Sequence, residues 1–307
     1  MTTSSLPLIL LLGPTAVGKS ETALQLAERL NGEIISADSR TFYRGMDIGT
    51  AKPSLEERAR VPHHLIDIAE PDERWSLADF QRAIYEVVDD IHARGKLPLL
   101  VGGTGQYVHA ITDGWVIPEQ EPDPRMRETL EKWAAAIGGE RLHAGLAKLD
   151  PDAGAAIDWH NVRRTVRALE VIFLTGQRFS AQRQRGTARY RTIQIGLTRP
   201  RADLYARIDA RIEMMLEAGW VEEVRTLLAR GFSPTLPSLS AIGYREIIQY
   251  LQGEYALEEA VILIKRKTRE FVRRQGNWFK ADDPAIRWFE MNPGVRDEIV
   301  NYLLSII

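Results

Sequence analysis

Short, continuous apolar runs alternate along this chain with longer stretches whose apolar residues recur at helical spacing. Leu8-Ile9-Leu10-Leu11-Leu12 is an unbroken run ended by Gly13-Pro14, the pattern of a strand buried on both faces. Ala23, Leu24, Ala27 and Leu30 then fall on one helical face, with Gly32 just past the predicted end. Glu33-Ile34-Ile35-Ser36-Ala37 reads as a second strand, with Asp38 at its C-terminal end. Ser76-Leu77-Ala78-Asp79 carries a Ser cap with an acid three residues on, which predicts a helix running to Arg94 and stopping at Gly95. Leu97 to Val101 is a further buried strand leading into Gly102-Gly103-Thr104-Gly105. Strands and helices alternating at these lengths predict an α/β fold with a parallel sheet.

The middle of the chain changes character. Pro118, Pro122 and Pro124 mark a break, and no strand pattern returns until Ile193-Gln194-Ile195-Gly196-Leu197. Helical patterns near 125–137, 140–149 and 160–174 lie between, so residues 120–192 are expected to form a helical insert large enough to be its own lobe. The core is then residues 1–119 and 193–307. It is expected to include a long helix from Leu257 to Phe279 and a late strand from Ile286 to Phe289.

Composition narrows the class. The 307 residues include no Cys, which excludes a disulfide scaffold, thiolate metal ligation and a thiol nucleophile. The apolar run Leu6–Leu12 is too short to span a bilayer and has no signal-peptide flanks, so a cytoplasmic enzyme is expected. The net charge is only −2, yet eight arginines face Glu170 alone between His160 and Arg191. A second cluster, Lys265-Arg266-Lys267 through Arg273-Arg274, sets six basic residues against Glu270. Each alone could be a solvated helix face, but two in an acidic protein point to a polyanion site, RNA or a smaller phosphate ligand.

Gly13-Pro14-Thr15-Ala16-Val17-Gly18-Lys19-Ser20 fits the phosphate-binding P-loop in full, between a strand and a helix. Its glycines let consecutive amides face a phosphate at a helix N-terminus, Lys19 adds charge at the terminal phosphates, and Ser20 can ligate Mg²⁺. A diphosphate or triphosphate ligand follows, but not which bond breaks. Asp38, one strand further along the ligand-binding edge, suits a general base or an outer ligand of Mg²⁺; an Asx turn with Ser39 is the plain alternative. Thr104 occupies a similar edge position in a loop whose glycines permit close approach to a ligand. Tyr107 could stack a base or simply pack. Arg207 and Arg211, four apart on a helix, suit a diphosphate clamp or ion pairs with Asp203 and Asp209. His63-His64 lack metal-ligand spacing, and Trp75, Trp115, Trp133, Trp159 and Trp220 read mostly as packing residues.

Motifs in order along nearly the whole chain resemble the tRNA dimethylallyltransferase (IPP transferase) family. They are the P-loop, Ile34-Ile35-Ser36-Ala37-Asp38-Ser39-Arg40, Tyr43 through Pro53, His63-His64-Leu65-Ile66-Asp67, Gly102 through Tyr107, Arg167-Ala168-Leu169-Glu170, Gly243-Tyr244-Arg245-Glu246, Arg273-Arg274-Gln275 and Trp278-Phe279. The resemblance implies a P-loop NTPase-like parallel core with an all-helical RNA-binding insert. It also implies Mg²⁺-dependent transfer of a dimethylallyl group from its diphosphate to N6 of the adenosine 3′-adjacent to the anticodon. In that picture Gly13 to Ser20 hold the diphosphate, Ser20 ligates Mg²⁺ and Lys19 neutralises developing charge. Asp38 takes the amine proton, Thr104 lines the channel, and Arg207 or Arg211 meets the far side of the diphosphate. Asp38, Ser39, Arg40, Thr41 and Thr104 contact the extruded nucleotide, and Arg163, Arg164, Thr165, Val166 and Arg167 grip the stem-loop. Thr41 stands where many relatives carry an amide side chain, and the zinc finger of eukaryotic relatives has no counterpart here. The partners implied are tRNA and dimethylallyl diphosphate, with no membrane, and a monomer is expected. The rivals are a P-loop small-molecule kinase, a prenyltransferase acting on free adenine nucleotides, and a nucleotide-gated RNA-binding module without chemistry.

Overall fold

The computed structural model describes residues 6–117, 123–181 and 186–307. Pro118 and Pro122 of the expected break, and Arg183 and Arg185 of the basic stretch, lie outside the described residues. The chain forms two compact units, Met1–Thr112 with Ala188–Ile307, and Asp113–Thr187.

The first unit is built on a parallel sheet. Its strands are β1 (Pro7–Leu12), β2 (Gly32–Ser36), β3 (His63–His64), β4 (Leu97–Val101), β5 (Arg191–Thr198) and β6 (Ile286–Glu290), in the spatial order β3-β2-β4-β1-β5-β6. Leu8 to Leu12 are all 0% exposed. Alternate residues of β1 enter two different cores: Ile9 and Leu11 face one, Leu8, Leu10 and Leu12 the other. This is why the run is continuous rather than alternating, and each such leucine contributes about 1.5–3 kcal/mol of burial. One face is covered by α1 (Lys19–Arg29), α9 (Arg201–Glu217), α10 (Trp220–Ala229), α11 (Tyr244–Leu251) and α13 (Val295–Ile306), the other by α3 (Leu77–Ala93) and α4 (Gly105–Thr112).

Local signals explain the helix ends. Ser76 and Asp79 form the expected capping box and α3 ends at Ala93, with Gly95 at φ +67°. Ser54 and Glu57 make a second box that starts α2 (Leu55–Arg60), which the sequence reading lacked because its six residues bury nothing. Gly32 is not a helix-ending turn. Asn31 takes the left-handed conformation at φ +51°, while Gly32 opens β2 where a Cβ would lie 2.8 Å from the Leu97 carbonyl oxygen. The long α12 spans Leu257–Gln275, four residues short of Phe279, and turns end it at Gly276 to Phe279.

The second unit holds α5 (Pro124–Ile137), α6 (Gly139–Leu149), α7 (Pro151–Ala156) and α8 (Val162–Thr175) around Leu130, Leu142, Leu146, Ile157, Val166 and Leu169. Its bounds, Asp113 and Thr187, fall earlier than the expected 120 and 192. At the exit, Tyr190 is buried in the first unit and donates its hydroxyl to Asp89 at 2.7 Å, and Arg191 pairs with Pro7 in the sheet. At the entry, the Gly186 N–H donates to the Gly114 carbonyl at 2.9 Å, which puts Gly114 with the helical unit. Among the described residues, no helix is long and apolar enough to cross a membrane.

Candidate active site

Adjacent parallel strands β2, β4 and β1 release their loops at one edge of the sheet, so Asp38, Thr104 and Gly13–Lys19 converge although they are far apart in sequence. The phosphate loop is sharply bent, with Gly13, Ala16 and Gly18 at φ +143°, +65° and +114°. Gly13 is also a matter of space, because a Cβ there would lie 2.6 Å from the Leu197 carbonyl oxygen. Lys19 Nζ donates to the Gly13 and Pro14 carbonyls at 2.8 and 2.9 Å. Burial, then Arg211, push its pKa down to about 8, against an opposing pull from Asp38.

The two α9 arginines divide the work. Arg207 makes neither expected ion pair. It donates through Nε to the Ala16 carbonyl at 2.9 Å, while Arg199 donates to the Val17 carbonyl at 2.9 Å. Asp203 pairs with Arg199 instead, and Asp209 with Arg269. Both arginines thus hold the outer rim of the loop. Arg211 is the deeper residue: burial first, and also Arg207, lower its pKa, while Asp38 raises it. Lys19, Arg211 and Asp38 therefore share one electrostatic environment.

Asp38 makes the Asx turn that was the plain alternative in the sequence. Its Oδ1 accepts the Arg40 N–H at 3.0 Å, an Asx turn that fixes the carboxylate and leaves Oδ2 outside the turn. The Thr41 hydroxyl donates to the Asp38 carbonyl at 2.9 Å and bonds Ser36 Oγ at 2.8 Å. Thr41 is buried, so its side chain shapes the loop from inside rather than facing a nucleotide. Arg40 is tied back as well, donating to the Pro237 and Ser238 carbonyls at 2.7 and 2.9 Å. Thr104 precedes α4, its carbonyl accepting the Tyr107 and Val108 N–H groups at 3.0 and 3.2 Å. The Tyr107 ring stacks on Phe80 at 4.0 Å between centroids, which makes it a packing residue.

The glycines of the Gly102–Gly105 loop admit the protein's own chain rather than a ligand. A Cβ on Gly102 would collide with Ala37, on Gly103 with the Gln275 amide, and on Gly105 with the Trp278 ring. Gln275 went unassigned by sequence reasoning because a Gln at a helix end has no chemical signature. Glu223 did too, yet it accepts the N–H groups of Asp47, Ile48 and Gly49 at 2.8, 2.6 and 3.2 Å and the Tyr244 hydroxyl at 2.6 Å. Burial first and Glu223 second push the Tyr244 hydroxyl far above its ordinary pKa. Lys52 completes the wrapping of the Tyr43–Pro53 segment, bonding Asp47, Asp67 and the Tyr43 carbonyl.

The histidine pair lies on the edge strand β3. His63 bonds the Val61 carbonyl and His64 the buried Glu33, which a hydrogen bond from Arg94 above all pulls down to about 2. Among the described residues there is no group of three or more His, Cys, Asp or Glu able to hold a metal.

In the second unit, α8 sorts the basic segment by face. Thr165 and Val166 are buried in the helical core, so their side chains are not surface contacts. Arg167 and Arg127 converge on the buried Glu170 at 2.9 and 2.7 Å. Arg163 is exposed and Arg164 half-buried. Trp133 and Trp159 are 46% and 44% exposed, contrary to the packing role expected of them, whereas Trp220 is buried. On α12, Lys265, Lys267 and Arg269 pair with Glu213, Glu246 and Asp209, while Arg273 and Arg274 are exposed in the last turn.

Comparison with known proteins gives a consistent picture. The IPP transferase family model matches residues 41–282. The chain is 52% identical over 275 residues to the tRNA dimethylallyltransferase of Roseiflexus sp. (strain RS-1), covering 90% of each chain. It is 48% identical to that of Heliobacterium modesticaldum, covering 97% of this chain and 94% of the relative. Among solved structures, the full-length tRNA isopentenylpyrophosphate transferase of Bacillus halodurans superposes with a TM-score of 0.73 at 43% identity, covering 97% and 96%. A eukaryotic dimethylallyltransferase caught acting on tRNA superposes at 0.82 with 28% identity, covering 98% of this chain and 78% of its own. Similarity of this extent over nearly the whole chain means that the chain belongs to the IPP transferase family.

Proposed function

We propose that this protein transfers a dimethylallyl group from dimethylallyl diphosphate to N6 of the adenosine 3′-adjacent to the anticodon of tRNA, releasing diphosphate. The observation that carries the reading is the convergence of the Gly13–Lys19 loop, the Asp38 turn and Thr104 at the edge where three strand loops meet, with Arg211 electrostatically coupled to Lys19 and Asp38. Two cations and one carboxylate that influence one another suit a reaction that generates an anionic leaving group and a proton together. The C1–O bond of the donor breaks as the N6–C1 bond forms, and the N6 proton passes to Asp38. Lys19 and Arg211 compensate the charge growing on the departing diphosphate. The Asx turn fixes Asp38 before substrate arrives, so little reorganisation is needed at the moment of transfer. Thr104, beside it on the neighbouring strand end, lines the space for amine and allylic carbon.

Mg²⁺ belongs to this reading. The residues fit it: Ser20 is an exposed hydroxyl at the start of α1, a hard-oxygen donor that would hold the ion together with oxygens of the bound diphosphate. When bound, the ion would withdraw charge from the diphosphate. Arg163 and Arg164 are the surface candidates in the insert for backbone phosphates of the stem-loop. The protein would act in the cytoplasm as a monomer.

The test is label transfer from radioactive dimethylallyl diphosphate, with Mg²⁺, to an unmodified anticodon stem-loop or to AMP. Label on the stem-loop supports the proposal. Label on AMP alone would make the protein a free-nucleotide prenyltransferase, and label on neither would overturn prenyl transfer and reopen the kinase reading.

A further inference from the structure

We infer that Gln275 is a positioning residue that locks the phosphate loop to the Gly102–Gly105 loop and so sets the spacing between donor and acceptor. The inference rests on the proposed function for its kinetic consequence but on geometry for its mechanical one. Gln275 is the last residue of α12 and only 5% exposed. Its Oε1 accepts the Thr15 N–H at 2.9 Å and lies 3.4 Å from the Thr15 hydroxyl, and its Nε2 donates to the Gly103 carbonyl at 3.3 Å. A single side-chain amide thus bridges the loop that follows β1 and the loop that follows β4, using its acceptor on one and its donor on the other. No other residue type of that length offers both groups.

The surrounding sequence is consistent with a built joint. Gly103 has no room for a Cβ because the Gln275 amide occupies that space, and Gly105 has none because the Trp278 ring does. The end of α12 and the turn that follows it therefore lie against the Thr104 segment at both flanking glycines. A diphosphate held at Gly13–Ser20 and an amine beside Thr104 must meet within about 3–3.5 Å for transfer to occur. Displacement of one loop relative to the other by an ångström would leave both ligands bound and unreactive. The expected signature is therefore a loss in kcat with little change in KM.

The test uses the full chain and two substitutions. Gln275→Met keeps the volume and removes both hydrogen-bonding groups; Gly103→Ala keeps the amide and pushes it off the carbonyl. For each, kcat and KM for dimethylallyl diphosphate are measured with an anticodon stem-loop, together with amide hydrogen exchange of the peptides covering 13–18 and 102–105. A fall in kcat of tenfold or more with KM within threefold, and faster exchange in both peptides while those of α3 and α13 are unchanged, is expected. A Gln275→Met enzyme within twofold of the parent kcat, or exchange unaltered in both loops, would overturn the inference. Should Gln275→Met fail to fold, Gly103→Ala decides by the same two readings. If the parent protein itself makes no product, the proposed function fails, and the exchange measurement still decides whether Gln275 joins the loops.

Discussion

Replacing Lys19 by methionine separates what this side chain does for binding from what it does for folding. Burial and Arg211 lower the ammonium pKa from its ordinary 10.5 to about 8. Each unit corresponds to ~1.4 kcal/mol, so keeping Lys19 charged costs the ligand-free fold about 3 kcal/mol at neutral pH. That cost is present in full below pH 8 and fades between pH 8 and 10.5, where the unfolded chain also loses the proton. Loss of the bonds to the Gly13 and Pro14 carbonyls offsets about 1–2 kcal/mol of the relief. Lys19→Met is therefore expected to raise the melting temperature of the ligand-free protein at pH 7 by about 2–6 °C, a gain that vanishes between pH 8 and 10.5 and turns into a small loss above that range. A bound diphosphate reverses the sign, because it is the anion that the strained cation lacks. Calorimetric titration with inorganic pyrophosphate and Mg²⁺ at pH 7.5 should show affinity lower by on the order of 100-fold, the equivalent of ~3 kcal/mol. A variant that binds pyrophosphate within threefold of the parent would refute the reasoning, as would one that melts lower than the parent at pH 7.

Further expectations concern the base, the RNA face, the half-buried carboxylate of Glu223 and the buried one of Glu33. Asp38→Asn should lower product formation by about 10²–10⁴-fold, with stem-loop affinity within twofold in a filter-binding assay. Neutralising Arg163 and Arg164 together should weaken stem-loop binding and reduce the slope of log K against log salt by about 2, whereas Thr165→Val should leave that slope unchanged. Glu223→Ala strips the acceptor from three backbone amides and the Tyr244 hydroxyl, and should cost about 2–4 kcal/mol in urea unfolding. Glu33, held down to about 2 by Arg94, His64 and Lys96, contributes stability above pH 4.5 that is lost as the pH falls toward 2. Glu33→Gln should flatten that part of the acid melting profile.

What the sequence made legible depended on whether a signal was local. The continuous run of β1, the phosphate-loop pattern and the Ser76–Asp79 box each act within a few residues, and the structure has them where the pattern placed them. The convergence of Asp38 and Thr104 beside the loop was legible too, because adjacent parallel strands must end at one edge. The function of individual arginines was not. Residues 163–167 read as one basic patch, but helical periodicity turns Thr165 and Val166 inward and sends Arg167 to Glu170. Arg207 and Arg211 looked equivalent at four-residue spacing, yet one meets the rim of the phosphate loop and the other shares the environment of Lys19. The glycines after β4 suggested room for a ligand, and the space is instead filled by Gln275 and Trp278 from a segment more than 170 residues away. Such long-range fits leave only a small residue in one place and an unremarkable one in another.

Position-resolved mass spectrometry of a stem-loop product tests the central claim most directly. An unmodified anticodon stem-loop with adenosine 3′ to the anticodon, and a copy carrying guanosine there, are incubated with protein, Mg²⁺ and dimethylallyl diphosphate, then fragmented. The account predicts one added dimethylallyl group on the base of that adenosine, and none on the guanosine copy or on any other residue. Addition at another position, or equal addition to the guanosine copy, would contradict it.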